Sequence, residues 1–187
     1  DEGATNRVGF NLSGPIVKDV LSFRIYGSAN KTDADDANIN AAAGNADAAG
    51  VEGVRNKDIA GRLHWKINPA QSLTFDAGFS RQGNIYNGDT QNSSTHPAAE
   101  ALRTSLIGSE TARLYRSNFA LTHTGAWDWG DTKSYISYDR TTNSRLPEYL
   151  AGGPEGSYSS DEFTNSYLKT LRLSSEAHIP FEWGVPH

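Results

Sequence analysis

Read with a period of two residues, the chain contains seven stretches in which apolar and polar side chains alternate. Residues 7–13 set Val8, Phe10 and Leu12 against Arg7, Gly9, Asn11 and Ser13, and residues 20–31 set Leu21, Phe23 and Ile25 against Arg24, Tyr26 and Ser28. Residues 57–67 oppose Ile59, Leu63, Trp65 and Ile67 to Arg62, His64 and Lys66, and residues 71–85 oppose Leu73, Phe75 and Phe79 to Thr74, Asp76 and Ser80. Residues 113–127 place Phe119, Leu121, His123 and Trp127 opposite Asn118, Ala120, Thr122 and Thr124. Residues 132–145 are less regular, with Ile136 and Tyr138 against Ser137 and Asp139, and residues 167–181 set Leu171, Leu173, Ala177 and Ile179 against Arg172, Ser174, Glu176 and His178. A strand alternates its side chains between two faces and a helix does not, so the pattern predicts β-strands, most of them longer than soluble sheets use.

The predicted connections are of two kinds. Gly14-Pro15 to Asp19, Asn68-Pro69-Ala70 and Asp128-Trp129-Gly130-Asp131 read as tight turns, because these residue types pre-set turn dihedrals. Residues 32–56, 86–112 and 146–166 read as long polar loops. Short and long alternate along the chain, which predicts an all-β antiparallel meander whose two ends meet different surroundings. Trp65, Trp127, Trp129 and Trp183 fall near the short-turn ends, where an aromatic girdle of a transmembrane barrel belongs. The alternating reading is that these rings pack in the core of a soluble sandwich.

Composition narrows the choice. Only 36% of the 187 residues are hydrophobic while 10% are aromatic, and the mean hydropathy is -0.59; that is too polar for a generous core and too aromatic for disorder. No apolar run reaches the ~18 residues of a membrane-spanning helix, a test that transmembrane strands escape because they alternate. Seven strands would leave two unpaired edges, which a hydrocarbon environment does not tolerate, so the chain reads as a piece of a larger barrel. It begins Asp1-Glu2-Gly3 with no visible signal segment. Cysteine is absent, which removes thiol nucleophiles and cysteine-ligated metals, and a net charge of -5 argues against a nucleic-acid partner.

Enzymatic signals are lacking. The five histidines (His64, His96, His123, His178, His187) show no metal-ligand spacing, and Glu148 with Glu155 reads better as solvated loop carboxylates than as a glycosidase pair. The arginines are more informative: Arg55, Arg81, Arg103, Arg113, Arg116, Arg140 and Arg145 lie in or beside the long loops, with Tyr86, Tyr115 and Tyr149 nearby. Guanidinium donors and aromatic faces suit an anionic, ring-bearing ligand. Equally, these arginines could order the loops by pairing with Asp33, Asp89, Glu110, Asp139 and Glu148.

The run Phe79-Ser80-Arg81-Gln82-Gly83-Asn84-Ile85-Tyr86-Asn87-Gly88-Asp89-Thr90-Gln91-Asn92 resembles the TonB-dependent ferric enterobactin (catecholate siderophore) receptors. So do Glu110 to Arg116, Thr142 to Arg145, Leu150 to Gly156, Phe10 to Pro15 and Gly53 to Asp58, in order along nearly the whole chain. The resemblance implies that residues 1–187 are about seven strands of a 22-stranded transmembrane outer-membrane β-barrel, with the N-terminal plug, TonB box and remaining strands absent. It implies siderophore-binding positions at Tyr86, Gln91, Arg113, Arg116, Arg145 and Glu148, with Tyr86 stacking on a catechol ring. It further implies no catalysis and no protein-bound metal or cofactor, iron being carried by the siderophore's own oxygens. Expected partners are a ferric catecholate siderophore, the TonB complex, outer-membrane lipid or lipopolysaccharide, and phage or colicin, with no nucleic acid. Two departures from the family pattern bear on which siderophore is bound: Thr95-His96-Pro97-Ala98-Ala99 in place of a further aromatic, and the alanine-rich Ala41-Ala42-Ala43-Gly44-Asn45-Ala46. A passive porin-like barrel and a soluble β-sandwich binding module or hydrolase are the rival readings.

Overall fold

The structure is a computed structural model that describes residues 3–34, 52–86, 105–146 and 162–180. It contains one seven-stranded sheet: β1 (Thr5–Val17), β2 (Leu21–Thr32), β3 (Gly53–Asn68), β4 (Gln71–Ile85), β5 (Glu110–Trp127), β6 (Gly130–Arg145) and β7 (Thr164–His178). Each strand pairs antiparallel with its sequence neighbours in the order β1 to β7, the meander that the alternation predicts.

Several strands run further than the sequence reading has them, because backbone pairing continues where side-chain alternation stops. β1 runs through Gly14 and Pro15, and the turn is displaced to residues 18–20, where Asp19 takes a left-handed φ of 59°. At the loop end, Gly53 to Asn56 lengthen β3, Glu110 to Ala112 lengthen β5, and Thr164 to Ser166 lengthen β7. Polar side chains there do not interrupt the ladder, since water can solvate them while the backbone groups pair with each other. β7 ends at His178, short of the residue 181 expected, and Phe181 and Trp183 lie outside the described residues.

The register sorts side chains into two faces. Directly paired residues share a face, so Leu12, Ile25, Gly61, Ala77, Phe119, Tyr138 and Leu171 form one row across all seven strands. The next row toward the short turns contains Phe23, Leu63, Phe75, Leu121, Ile136 and Leu173. This face is apolar and open: Leu12, Phe75, Leu121 and Leu173 are 60%, 41%, 38% and 73% exposed. The opposite face is polar, with Arg62 holding Asp76 through two bonds at 2.6 and 3.3 Å, Ser28 donating to Asp58 at 2.5 Å, and His64 Nδ1 2.9 Å from Thr74 Oγ1. No second layer covers either face among the described residues, and their buried apolar side chains are only Ile85, Tyr86 and Leu146, all at the loop end. A soluble sandwich needs the apolar face packed; this sheet presents it outward.

Trp65 and Trp127 occupy the apolar face at the short-turn end, and Trp129 stacks on Trp127 at 6.5 Å between centroids. The Trp127 indole donates to Thr132 Oγ1 at 2.8 Å, so ring and N–H are divided between apolar and polar surroundings. The turn between β5 and β6 depends on Gly130, whose φ is +148° and where a Cβ would stand 2.2 Å from the His178 carbonyl oxygen. Gly130→Ala in the full-length protein is expected to cost about 1–3 kcal/mol by forcing β6 from β7. Heat-modifiability on gels checks this: the band of the folded protein should be lost at lower temperature than in the wild type.

Candidate functional site

The long connections leave the sheet at one end, where the sequence places its arginine cluster. The alternation divides that cluster between the two faces. Arg116 pairs with Ser80 and Thr141, and Arg145 with Ala112, so both project from the polar face. Arg113 pairs with Gly83 and Ser144 and projects from the apolar side of the sheet. Three residues separate Arg113 from Arg116, and an odd separation on a strand means opposite faces.

On the polar face Arg116 and Arg145 are both exposed and stand on neighbouring strands. Because Arg145 pairs with Ala112, the two are offset by four residues, roughly 13 Å along the strand direction. A polar pocket of about 500 Å³ lies on this face, its lining including Arg7, Asn30, Asn56, Gln82 and Arg116. Arg7, Asn30, Asn56 and Gln82 occupy one register row. Asn56 Oδ1 is buried there without a hydrogen-bond partner among the described residues. These row members escaped the sequence reading, which followed residue type and loop proximity; the parity of the alternation was the signal that could have found them.

Arg113 has a different setting. Glu110, whose side chain is 8% exposed, accepts from Arg113 Nε at 3.0 Å, from Arg55 at 3.3 Å and from Arg81 through both guanidinium nitrogens. The carboxylate lies across Gly83, where a Cβ would come within 2.8 Å of it, so glycine at this position opens the space. Arg113 also covers the Phe163 ring at 4.5 Å, and Arg81 lies 5.7 Å from the Tyr115 centroid. Arg55, Arg81 and Arg113 therefore pair with a carboxylate, Glu110 being the shared acceptor, and tie the ends of β3, β4 and β5 together.

Glu110 stands beyond the apolar rows, outside the part of β5 flanked by Phe119 and Leu121. Burial pushes its carboxyl pKa up, but hydrogen bonds and charge from Arg81 and Arg113 outweigh burial and hold it below the ordinary value. A lowered folded-state pKa gives stability that is present above the unfolded value of about 4.3 and is lost as pH falls through the lower folded value. Glu110→Gln is thus expected to lower the protein's stability by about 1–2 kcal/mol at neutral pH, with the gap to wild type closing below about pH 4. Urea unfolding of both proteins at several pH values reads this; a gap that persists unchanged in acid would contradict the ion-pair account.

Tyr86 is 1% exposed, and its backbone joins the strand end to the segment before β5: its N–H donates to Ser109 O at 3.0 Å and its carbonyl accepts from Gly108 N at 2.9 Å. In this arrangement the ring does not present an open face. Gln91 and Glu148 lie outside the described residues, as do His96, Tyr149, Glu155, His187 and the segments 41–46 and 95–99. His123 bonds Gln71 at 3.1 Å, and no group of three or more potential metal ligands occurs among the described residues.

No family model matches the chain. It is 52% identical over 186 residues to the probable TonB-dependent siderophore receptor PirA of Acinetobacter baumannii, a match covering 99% of this chain and 24% of the relative. Against the crystal structure of the siderophore receptor PirA from Acinetobacter baumannii it superposes with a TM-score of 0.86, covering 97% of this chain and 26% of that one. A mutant ferric enterobactin receptor of Pseudomonas aeruginosa, solved in complex with enterobactin, is 44% identical with a TM-score of 0.81, covering 98% of this chain and 27% of that one. The chain thus spans about a quarter of the length of the relatives it matches. Its apolar face is the lipid face and its polar face the lumen. The chain belongs to the TonB-dependent siderophore receptors, a non-enzymatic family, and is a segment of their outer-membrane β-barrel wall.

Proposed function

We propose that the complete receptor containing this segment captures a ferric catecholate siderophore of the enterobactin type at its loop end and passes it inward with energy from the TonB complex. The observation that carries this reading is the pair Arg116 and Arg145 on the lumen face, offset along two neighbouring strands at the mouth of the barrel. A ferric tricatecholate is trianionic and about a nanometre across, so two guanidinium groups roughly 13 Å apart along the strands can hold opposite edges of it. The enterobactin-bound relative, which overlays nearly the whole chain, supports the same ligand class. Iron stays coordinated by siderophore oxygens, and this chain supplies charge and hydrogen bonds.

In this reading Gln91 and Glu148 add polar contacts from the loops. Tyr86 stacks on the ligand once the contacts that bury it open, and Arg113 acts through its network with Glu110. The remaining strands complete a 22-stranded barrel around a plug, the TonB complex acts through an N-terminal region, and the exposed loops are the surface open to phage or colicin. The test is titration of the full-length receptor with ferric enterobactin, followed by quenching of tryptophan fluorescence. Saturable binding at nanomolar concentrations is expected; failure to bind any ferric catecholate would overturn the reading in favour of a passive barrel.

A further inference from the structure

The lumen face carries its cations at a regular interval. Register places Arg145 level with Val54 of β3, Arg116 level with Asp58, Arg24 and Arg172 level with Arg62, and Lys133 level with Lys66. Each level lies four residues nearer the short turns than the one before, roughly 13 Å along the strands. Arg145, Arg116, Arg24, Arg172, Lys66 and Lys133 are all exposed. One row of this face separates each level from the next. Arg7 stands in the first of these rows, and the two further down hold no lysine or arginine at the described strand positions.

The row of Arg62 shows two kinds of arginine side by side. Arg62 serves the sheet, holding both carboxylate oxygens of Asp76 at 2.6 and 3.3 Å. Arg24 donates to Asn11 Oδ1 at 3.4 Å and lies 5.0 Å from the Tyr26 centroid, and neither Arg24 nor Arg172 makes an ion pair among the described residues. The other carboxylates of this face are placed differently. Asp58 accepts from Ser28 at 2.5 Å, Glu176 stands opposite Lys133, and Asp139 occupies the row between Arg116 and Arg172.

We propose that Arg24 and Arg172 are positioning residues for inward passage: the captured anionic complex leaves Arg116 for them and goes on to Lys66 and Lys133. The inference rests on the reading that the lumen admits a ferric tricatecholate, and it adds the residues that act after capture. A trianion held at one tight site would stay there, whereas weaker sites in series let it leave. An interval comparable with the ligand's own width, closed by the reach of the long cationic side chains, lets it touch the next level before it releases the last. Asp139 carries the same sign as the ligand, so it disfavours the space between two levels and makes each a separate resting place. A purely structural role would leave Arg24 and Arg172 paired as Arg62 is.

The experiment compares capture with uptake in cells that make the full-length receptor, using ferric enterobactin loaded with radiolabelled iron. Arg24→Gln/Arg172→Gln should bind the complex within about twofold of the wild type, because both residues lie roughly 13 Å below Arg116 along the strands. Its maximal uptake rate should fall by about tenfold. Arg24→Lys/Arg172→Lys keeps the charge and loses the guanidinium fork, and it should recover most of the rate. An equal loss in the lysine variant would overturn the proposal, because it marks packing within the barrel and not charge. So would a fall in affinity as large as the fall in uptake, which makes these residues part of capture. Undiminished uptake by the glutamine variant, beside a wild type that binds and transports, overturns this proposal alone; a wild type that binds no ferric catecholate removes the reading beneath it as well.

Discussion

Replacing Arg116 and Arg145 together by alanine in the full-length receptor is expected to weaken ferric enterobactin binding by about a hundred- to ten-thousand-fold. Each charge-assisted contact to an anionic oxygen is worth ~1.5–3 kcal/mol, and two such contacts on neighbouring strands act on one ligand. Arg113→Ala supplies the contrast. Its guanidinium faces away from the lumen, bonded to Glu110 at 3.0 Å and stacked over Phe163 at 4.5 Å. Its loss should therefore change affinity by less than about threefold while lowering stability by about 1–2 kcal/mol. Fluorescence titration of the three proteins, with urea unfolding beside it, reads both quantities. If Arg113→Ala matched Arg116→Ala in lost affinity, sheet face would not be what selects the binding arginines.

The second large effect concerns the membrane. Leu121 and Thr122 are adjacent in β5, yet Leu121 lies in the apolar row between Phe75 and Ile136, while Thr122 lies in the polar row between Thr74 and Tyr135. Leu121→Arg places a cation against hydrocarbon near the middle of the band and is expected to cost about 2–4 kcal/mol; Thr122→Arg places it in the lumen at a cost below about 1 kcal/mol. Urea unfolding of the receptor in lipid vesicles distinguishes them. Similar costs at both positions would contradict the assignment of faces, because only a lipid face penalises charge this selectively.

Much of the fold could be read from the chain because its cause is local. Val8, Phe10 and Leu12 recur at period two, and an alternating face is a property of each strand before any strands meet. Pro69 and Gly130 act equally locally, by restricting or freeing their own dihedrals. The turn after β1 misled for the converse reason: Gly14 and Pro15 have turn chemistry, but pairing with Phe23 and Ser22 retains them in the strand. Proline can occupy that place because Pro15 lies beside a register shift, where the ladder is already interrupted.

The site was harder to read. Arginine identity and nearness to a loop placed Arg113, Arg116 and Arg145 together, whereas the proposed ligand contacts depend on which face each side chain leaves. Arg113 and Arg116 differ by an odd number of residues, a fact present in the sequence but given meaning only when β5 proved continuous through both. Glu110 was visible as one of several acidic candidates. Its role as common acceptor for Arg55, Arg81 and Arg113 depends on three strands arriving side by side and on Gly83 leaving room for it.

By itself, then, the sequence determined the strands, their antiparallel succession and the unequal ends of the sheet, because alternation and turn dihedrals are short-range properties carried by neighbouring residues. Only the tertiary structure decided the register. Register aligns Leu12 with Leu171 across seven strands, separates Arg113 from Arg116 and Arg145, and gathers Lys57, Arg81 and Arg140 at the upper edge of one apolar band. The physical reason is that a face is a collective object: a single strand has two sides, but lipid and lumen exist only once neighbouring strands fix which sides they share.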